Sequence, residues 1–426
     1  WSRGLGDVYK RQEVVFVGYG ITAPEEDWDD YKGADIEGKM LLMLNDDPDW
    51  DPELFAGERR LYYGRWKYKY EIAAEKGAVG AIIIHTDLSA GYPWQVVLTG
   101  WTGEQFELPA GGEPRIQLKS WMTQEAAQRL VEFAGHDLDA LIESARTRDF
   151  SPVSLGLSTS LDLAVEIRNT ETANVGGILR GSDPDLADEV VFLSAHHDHF
   201  GEGEPDETGD KIYNGALDNG VAMAQALSVA EAFSALSKPP RRSVMVLFVA
   251  AEEQGLLGSK YYTEHPTIAP GKMAADINFE LGNVRGRTSD VTIFGKGKST
   301  LEDVLADLAA EQGRYVTSES TPRSGWYYRS DQFSFASIGV PAIWFKSGTD
   351  FIGRPEGWGE QQYADWIKNH YHRPTDEVED SWVLDGLAED AHLAFRLALT
   401  VATADEMPTW YPGDVFEDER LAALAE

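Results

Sequence analysis

The chain of 426 residues contains no cysteine, so disulfide bridges, thiolate metal ligands and a cysteine nucleophile are excluded. Basic residues are also scarce: 37 Lys and Arg face 72 Asp and Glu, and the formal net charge is −35. This deficit argues against nucleic acid as a partner, because phosphate is neutralised by Lys and Arg. It also argues against docking on anionic lipid. No apolar run approaches the ~20 residues of a membrane-spanning helix, so we expect no membrane insertion.

The remaining composition is that of a folded protein. Hydrophobic residues make up 42% of the chain and aromatic residues 11%, which indicates a globular protein with an ample core. The length favours two domains. The acidic excess has two interpretations, a solubility adaptation or attraction of cationic peptides or metal ions, and composition does not separate them.

Residues 1–12, WSRGLGDVYKRQ, do not resemble a protein segment. Their last six residues resemble the translated end of a sequencing-library adapter, so we predict that residues 1–12 are an artefact outside the fold. On that interpretation the natural chain begins upstream, and a signal peptide would have been lost with that part.

A small module is predicted for residues 13–155. Apolar stretches at 13–21, 39–44 and 79–85 are typical of strands, and residues 66–76 have helical spacing of apolar side chains. Glycines in the second half of this region indicate loops, and three tryptophans lie there.

Residues 156–405 follow a strand, loop, helix rhythm. We predict strands at 190–195, 244–250, 274–280, 291–294 and 341–345, and helices at 221–236, 301–311 and 387–404. Apolar strands alternating with amphipathic helices predict an α/β fold, with a central, mostly parallel sheet covered by helices on both faces. Residues 350–369 are rich in glycine and aromatics and are predicted to form a loop; residues 406–426 are an acidic tail with no assigned function.

Metal-binding residue types follow three predicted strands. Five of the nine histidines lie in two short segments, AHHDH at 195–199 and HYHR at 370–373. The next two predicted strands lead into AEE at 251–253 and NFE at 278–280. Singly, these are ordinary features: Asp218 before a helix is typical of an N-cap, and a Glu pair after a strand is typical of a solvated loop. Together, imidazoles and carboxylates at strand ends favour zinc or a similar divalent ion.

Five motifs in order then carry a family resemblance: AHHDH, NGALDNG, FVAAEEQGLLGS, NFELG and YHRPTDE. They resemble the metal-site motifs of the co-catalytic dizinc aminopeptidases, the family of aminopeptidase Y and bacterial leucyl aminopeptidases, related to glutamate carboxypeptidase and transferrin receptor. The resemblance covers about residues 160–405 and implies a zinc exopeptidase fold with a mixed sheet. The N-terminal module, with GYGI and WKYKYEIAAEKGAVGAIIIH, is similar to the protease-associated domain inserted in such enzymes.

The resemblance implies two Zn²⁺ per chain, with Asp218 bridging both ions. The other implied ligands are His196 and Glu280 for one ion, and Glu253 and His372 for the other. Asp198 would hold the imidazole of His196 in its ligating tautomer, and Glu252 would be the general base. Tyr371 is a candidate donor to the oxyanion of the tetrahedral intermediate. We interpret His197 as a pocket residue and His199 as a weaker ligand candidate.

The chain departs from the family pattern at three positions. Glu280 replaces a more common Asp, Leu217 replaces a second acidic residue, and Gln332 replaces a frequent histidine. The first two changes leave every ligand position with a competent group, and Gln332 affects the predicted substrate pocket. Trp358 and Trp366 are predicted to wall that pocket.

The expected substrates are peptides or small proteins with a free N-terminus, and family habit indicates a periplasmic or secreted protein. A carboxypeptidase, a glutaminyl cyclase on the same scaffold and a non-catalytic receptor-like module remain alternatives. The sequence leaves side-chain preference and oligomeric state open.

Overall fold

The computed structural model describes residues 7–425 of the chain, which folds into two compact units. The first unit contains residues up to Val97, Pro109–Glu171 and Thr321–Gly325. The second contains Leu98–Leu108, Thr172–Ser320 and the residues from Trp326 onward. The long uninterrupted part of the second unit therefore begins at Thr172, later than the sequence-based boundary at residue 156.

The first unit is built on a five-stranded sheet. Its strands are β1 (Asp7–Phe16), β2 (Met40–Leu44), β3 (Gly80–His85), β4 (Leu118–Thr123) and β5 (Val153–Leu163). The order is β4-β3-β2-β1-β5, in which only the last pair is antiparallel. β1 begins at Asp7, so the strand includes residues that the sequence assigned to an adapter; residues 1–6 of that segment lie outside the described residues.

The helices of this region are short. They are α1 (Trp66–Glu75), α2 (Asp87–Ala90), α3 (Trp94–Trp101), α4 (Gln124–Phe133) and α5 (Leu138–Ala145), and α3 contains the division between the units at Val97. The predicted strands and the helix at 66–76 are confirmed. The five residues of β2 are all buried, as expected for an apolar central strand.

The second unit is built on a seven-stranded sheet. Its strands are β6 (Val175–Leu179), β7 (Val190–His196), β8 (Ser243–Val249), β9 (Met273–Asn278), β10 (Asp290–Ile293), β11 (Tyr315–Ser318) and β12 (Ala342–Ser347). The order is β11-β10-β12-β9-β7-β8-β6. The β6–β8 and β10–β12 pairs are antiparallel and the other pairs are parallel. The predicted mixed, mostly parallel α/β sheet is confirmed.

Helices cover both faces of this sheet. They are α6 (Val221–Ser234), α7 (Leu257–Glu264), α8 (Leu301–Glu311), α9 (Gln332–Ser337), α10 (Trp358–Asn369), α11 (Asp385–Thr403) and α12 (Glu417–Ala425). Successive strand residues point to opposite faces. Val191 and Leu193 share a core with α6, α8 and α11, whereas the ring of Phe192 packs against Tyr262 of α7 and Phe335 of α9. Across residues 7–425, every helix is too short or too polar to traverse a lipid bilayer.

The prediction of a loop at 350–369 is wrong for its second half, which forms α10. Gly357, with φ of 77°, precedes the helix, and Trp366 and Ile367 are buried along it. The prediction gave most weight to the glycines of this segment. The helical spacing of its aromatic side chains begins only after Gly357 and was therefore missed. The acidic tail also belongs to the second unit, because the buried Arg420 donates to the carbonyls of Pro270 and Met273.

Candidate metal centre

The strand order explains why distant carboxylates and imidazoles meet. β7 lies between β8 and β9 and is parallel to both, so the carboxyl ends of these three strands share one sheet edge. β7 ends at His196, the chain reaches Glu252 and Glu253 just after β8, and Glu280 just after β9. A turn at Ala216–Gly220, directly before α6, adds Asp218 to this edge.

One donor group forms around His196. Its Nε2 atom lies 3.3 Å from Oδ1 of Asp218 and 3.4 Å from Oε2 of Glu280. All three residues are buried, and each offers an atom within 4.8 Å of the others, a spacing that suits one metal ion. These are the ligands that the sequence assigned to the first ion.

A second donor group forms on the other side of Asp218. Nε2 of His372 lies 3.5 Å from Oδ2 of Asp218 and 3.2 Å from Oε2 of Glu253. His199 also reaches this group, with Nδ1 2.5 Å from Oε1 of Glu253, and forms a compact donor set with Asp218 and Glu253. The two oxygens of Asp218 thus face different donor groups. His199 is a donor that sequence reasoning ranked too low, although its place three residues after His196 was a usable signal.

The unpaired atoms of these side chains fit a metal. Nε2 of His196, Nε2 of His199 and Nδ1 of His372 are buried without a hydrogen-bond partner within the described part of the chain. Buried polar atoms are ordinarily paired, because leaving them unpaired costs free energy. Neutral imidazoles and carboxylates without thiolates are a donor set that zinc accepts. The residues therefore fit a divalent cation.

Asp198 supports the site through two different atoms. Nδ1 of His196 donates to its backbone carbonyl over 3.1 Å, which leaves the Nε2 lone pair facing the donor group. Its carboxylate lies 3.7 Å from the same nitrogen and accepts the backbone amides of Glu252 and Glu253 at 3.0 and 3.3 Å. The carboxylate therefore shapes the loop that carries both glutamates.

Further hydrogen bonds fix the donor side chains and the backbone next to them. Ser330 donates to Oε2 of Glu280 over 2.8 Å. Gln332 is fully buried and accepts a hydrogen bond from Asn278 over 2.7 Å, so it lies in the network behind Glu280. The carboxylate of Asp376 accepts the backbone amides of Leu217 and Asp218. The sequence reading overlooked Asp376, which lies only four residues after His372 in the fifth motif.

Electrostatics distinguishes the carboxylate of Glu252 from that of Asp218. Burial, together with the charge of Glu253, holds the pKa of Glu252 well above its ordinary value. For Asp218, burial alone would raise the pKa, but the imidazoles of His196 and His372 close to its two oxygens hold it well below the ordinary range. Glu252 lies beside the first donor group, with Oε2 4.0 Å from Nε2 of His196. It is placed to exchange protons next to the donors without completing either group.

The remaining predicted site residues are Tyr371, Trp358, Trp366 and His197. The ring of Tyr371 packs 3.8 Å from the imidazole of His372 and 5.4 Å from Trp366, measured between ring centroids. Trp358 and Trp366 both line a cavity of about 330 Å³, which also contacts Asp376 but none of the five predicted ligands. His197 is exposed, and its Nε2 contacts the carbonyl of Ala173.

Left-handed backbone conformations occur where the ligands leave their strands. Ala251, directly before Glu252, has φ of 54°, and Leu281, directly after Glu280, has φ of 51°. His372 itself has φ of 56°. Non-glycine residues in this region carry strain of order 1–3 kcal/mol each, and such strain clusters at functional sites.

Curated proteins similar to this chain include two named aminopeptidases and a leupeptin-inactivating enzyme. Probable leucine aminopeptidase 2 of Aspergillus oryzae is 29% identical over 52% of this chain and 43% of its own length. Leupeptin-inactivating enzyme 1 of Streptomyces exfoliatus is 27% identical over 42% of this chain and 37% of its own length. Aminopeptidase YwaD of Bacillus subtilis is 25% identical over 50% of this chain and 41% of its own length. The matches thus span about two fifths of the length of these relatives.

Solved structures were also compared with the chain. An aminopeptidase from Aneurinibacillus sp. strain AM-1 is 18% identical, covers 97% of this chain and 79% of its own, and gives a TM-score of 0.47. The zinc aminopeptidase BSAP from Bacillus subtilis is 16% identical, covers 94% of this chain and 76% of its own, and gives a TM-score of 0.45.

The family comparison covers the region that holds the donor groups. Residues 174–394, more than half of the chain, match the family described as Peptidase family M28. This region contains every imidazole and carboxylate of the two groups and the whole stretch from β6 to the middle of α11. On this match, and in agreement with the resemblance of the five motifs, the chain belongs to peptidase family M28.

Proposed function

We propose that this protein is a zinc-dependent aminopeptidase that hydrolyses the peptide bond next to a free N-terminus. The observation that carries the proposal is Asp218, whose two oxygens face two separate donor groups. One carboxylate between two groups is the arrangement expected of a bridging ligand in a two-metal site. Family membership and the names of the similar proteins support the same activity.

His196, Asp218 and Glu280 would hold one zinc ion, and Asp218, Glu253 and His372 the other, with His199 as an additional donor on the second side. When bound, the two ions would supply Lewis-acid polarisation of the scissile carbonyl and a lowered pKa for the attacking water. Ser330, Asp376 and the backbone carbonyl of Asp198 keep the ligands oriented before any metal arrives.

Glu252 would accept a proton from the attacking water and return it to the leaving amine. Its raised pKa suits that exchange, because a more basic carboxylate takes the proton of a water molecule more readily. Tyr371 lies against His372, and its hydroxyl would donate a hydrogen bond to the oxyanion as the carbonyl is attacked.

The finer parts of the proposal concern the rest of the chain. We propose that the first unit is a protease-associated domain, on the resemblance of its GYGI and helix–strand segments. A periplasmic or secreted location and substrates that are peptides or small proteins follow from the family resemblance in the same way.

The test is hydrolysis of paired free and N-acetylated aminoacyl anilides, with zinc content measured on the same preparation. We expect cleavage of the free substrates only and about two zinc ions per chain. Acetylation removes the charge of the amine and leaves the scissile bond intact, so it isolates recognition of the N-terminus. Equal cleavage of both members would contradict an aminopeptidase, and a protein that binds no zinc would contradict the metal assignment.

A further inference from the structure

A lysine without a counterion lies next to the metal centre. Lys346 is on β12, is partly buried, and has no carboxylate within 4 Å and no hydrogen-bond acceptor among residues 7–425. The same chain carries 72 acidic residues, so carboxylate partners are abundant. A cation left unpaired in this surrounding is informative, because buried charges are normally paired.

Aromatic rings hold this lysine in place. We call Phe294, Trp326, Trp344 and Tyr363 the aromatic cluster; the ammonium lies 5.6 Å from the ring centroid of Phe294 and 5.0 Å from that of Tyr363. Phe294 stacks on Trp344 at 3.7 Å, and Trp326 meets both Trp344 and Tyr363 edge-on at 6.2 Å. Contacts with ring faces attract a cation but leave its hydrogen-bonding capacity unused.

The aromatic cluster is joined to a metal ligand. Nε1 of Trp344 donates to the backbone carbonyl of Glu280 over 3.0 Å. The charge of Glu280 acts more strongly on Lys346 than that of any other group, and the charge of Asp218 also reaches it. The hydroxyl of Tyr363 is buried and has no hydrogen-bond partner within the described residues. A cation and an unused hydroxyl donor therefore lie together beside the first donor group.

When metal ions are bound at the donor groups, a nearby anion would stabilise the charged form of Lys346. Burial lowers the pKa of Lys346 to about 8, so most of the lysine carries its charge at neutral pH. In the metal-free protein the carboxylates of Glu280, Asp390 and Asp218 partly offset that charge. Metal ions bound by Glu280 and Asp218 would offset these two carboxylates and leave Asp390 as the remaining one, so a substrate carboxylate would stabilise the charged lysine.

We propose that Lys346, with the hydroxyl of Tyr363, binds a carboxylate of the substrate, so that the enzyme selects peptides with an acidic group beside the scissile bond. This inference rests on the proposed peptidase function and adds the substrate class. The carboxylate has two possible sources, the side chain of an N-terminal Glu or Asp, or the C-terminal carboxylate of a dipeptide. Both present a planar anion that an ammonium and a phenol can bind together.

The test compares substrates that differ only in that charge. Glutamyl and glutaminyl anilides are nearly isosteric and report the side-chain source, while Leu-Ala and Leu-Ala amide report the terminal source. We expect kcat/KM to favour the charged member of at least one pair about tenfold or more. Lys346→Met should reduce that ratio to near one and leave the neutral substrate within about twofold, whereas Lys346→Arg should retain it. Lys368→Met, at an exposed lysine of α10, is the matched control.

A binding measurement separates failure of this inference from failure of the proposed function. Calorimetric titration of glutamate against glutamine, and of Leu-Ala against its amide, needs no turnover. One outcome is that no substrate is cleaved, the charged member of a pair binds about tenfold more tightly, and Lys346→Met removes that difference. This outcome would support the carboxylate site and contradict the proposed peptidase activity. Ratios near one for both pairs in the wild-type protein, or ratios that survive Lys346→Met, would overturn the inference.

Discussion

The two units bury clusters of charge in opposite ways. The cluster of the first unit consists of Asp30, Asp46, Asp47, Arg60 and Lys69. Lys69 is wholly buried, and its ammonium donates to the carbonyls of Tyr19 and Asp46 at 2.6 and 2.8 Å. Asp30 and Asp47 each accept a backbone amide, at 2.9 and 2.8 Å. Each carboxylate and the ammonium of this cluster has a partner within the unit.

The metal centre of the second unit leaves its buried charges unmatched. Carboxylates outnumber cations there, several imidazole nitrogens have no partner within residues 7–425, and the nearby Lys346 has no counterion. A paired cluster stabilises one backbone arrangement, whereas an unpaired cluster costs free energy that a bound metal or substrate would recover. We infer from this difference that buried charges with partners are structural and that buried charges without partners are functional. Burial alone does not distinguish the two kinds.

The largest effect should come from Glu252→Gln. The amide has almost the same shape but accepts no proton, so we expect kcat on a free aminoacyl anilide to fall about 10³-fold. Zinc content should stay the same, because Glu252 completes neither donor group. The free energy of unfolding should not decrease, because the change removes one of several crowded negative charges.

Glu356→Gln, at an exposed glutamate before α10, is the matched control and should leave kcat unchanged. A Glu252→Gln protein with nearly full activity would show that another group moves the proton. Loss of zinc from that variant would show instead that Glu252 is a ligand.

The sequence predicted the middle of the sheet well because its central strands are mostly apolar. All seven residues of β7 are buried, and such runs between turn signals are recognisable without knowledge of the partner strand. The short strand β11 was not predicted, since its residues are partly or fully exposed at the edge of the sheet. The helix α10 was not predicted either, because local glycines outweighed the spacing of its buried aromatics.

Three donor residues were predictable from their position, because His196, Glu253 and Glu280 lie at or just after the ends of apolar strands. Their supporting contacts were not, since these depend on loop geometry that spacing does not reveal. Asp198 was expected to orient His196 with its carboxylate, but the structure uses the backbone carbonyl for the hydrogen bond and the carboxylate for the following loop. The lack of a carboxylate within 4 Å of Lys346 could not be predicted from the sequence either, because it depends on the positions of all the carboxylates in the fold.

The paired cluster of the first unit should respond to substitution through stability. Lys69→Met leaves two carbonyls without their donor and removes the positive charge beside the buried carboxylates, and breaking such a buried network costs about 3–5 kcal/mol. We expect hydrogen exchange of the β2 strand to accelerate by the corresponding factor, measured by mass spectrometry. Zinc content should be unchanged, since the proposed ligands all lie in the second unit.

Lys39→Met provides the contrast, because Lys39 pairs with Glu13 at the surface over 3.1 Å. An exposed pair contributes about 0–1 kcal/mol, so exchange in β2 should change little. If both substitutions had the same small effect, the pairing in the first unit would not be a source of stability and the comparison between the units would fail.

The smallest effect should distinguish two imidazoles within the metal centre. His372 lies close to both Asp218 and Glu253, whereas the close carboxylate contact of His199 is with Glu253 alone. We therefore expect His372→Ala to weaken binding of the second zinc ion more than 100-fold, and His199→Ala to weaken it only about tenfold, as for a group that orients a ligand. Competition with a chelator, followed by zinc analysis, measures both. The reverse order would make His199 the principal imidazole of the second donor group and His372 its support, and it would place the second ion nearer to the end of β7.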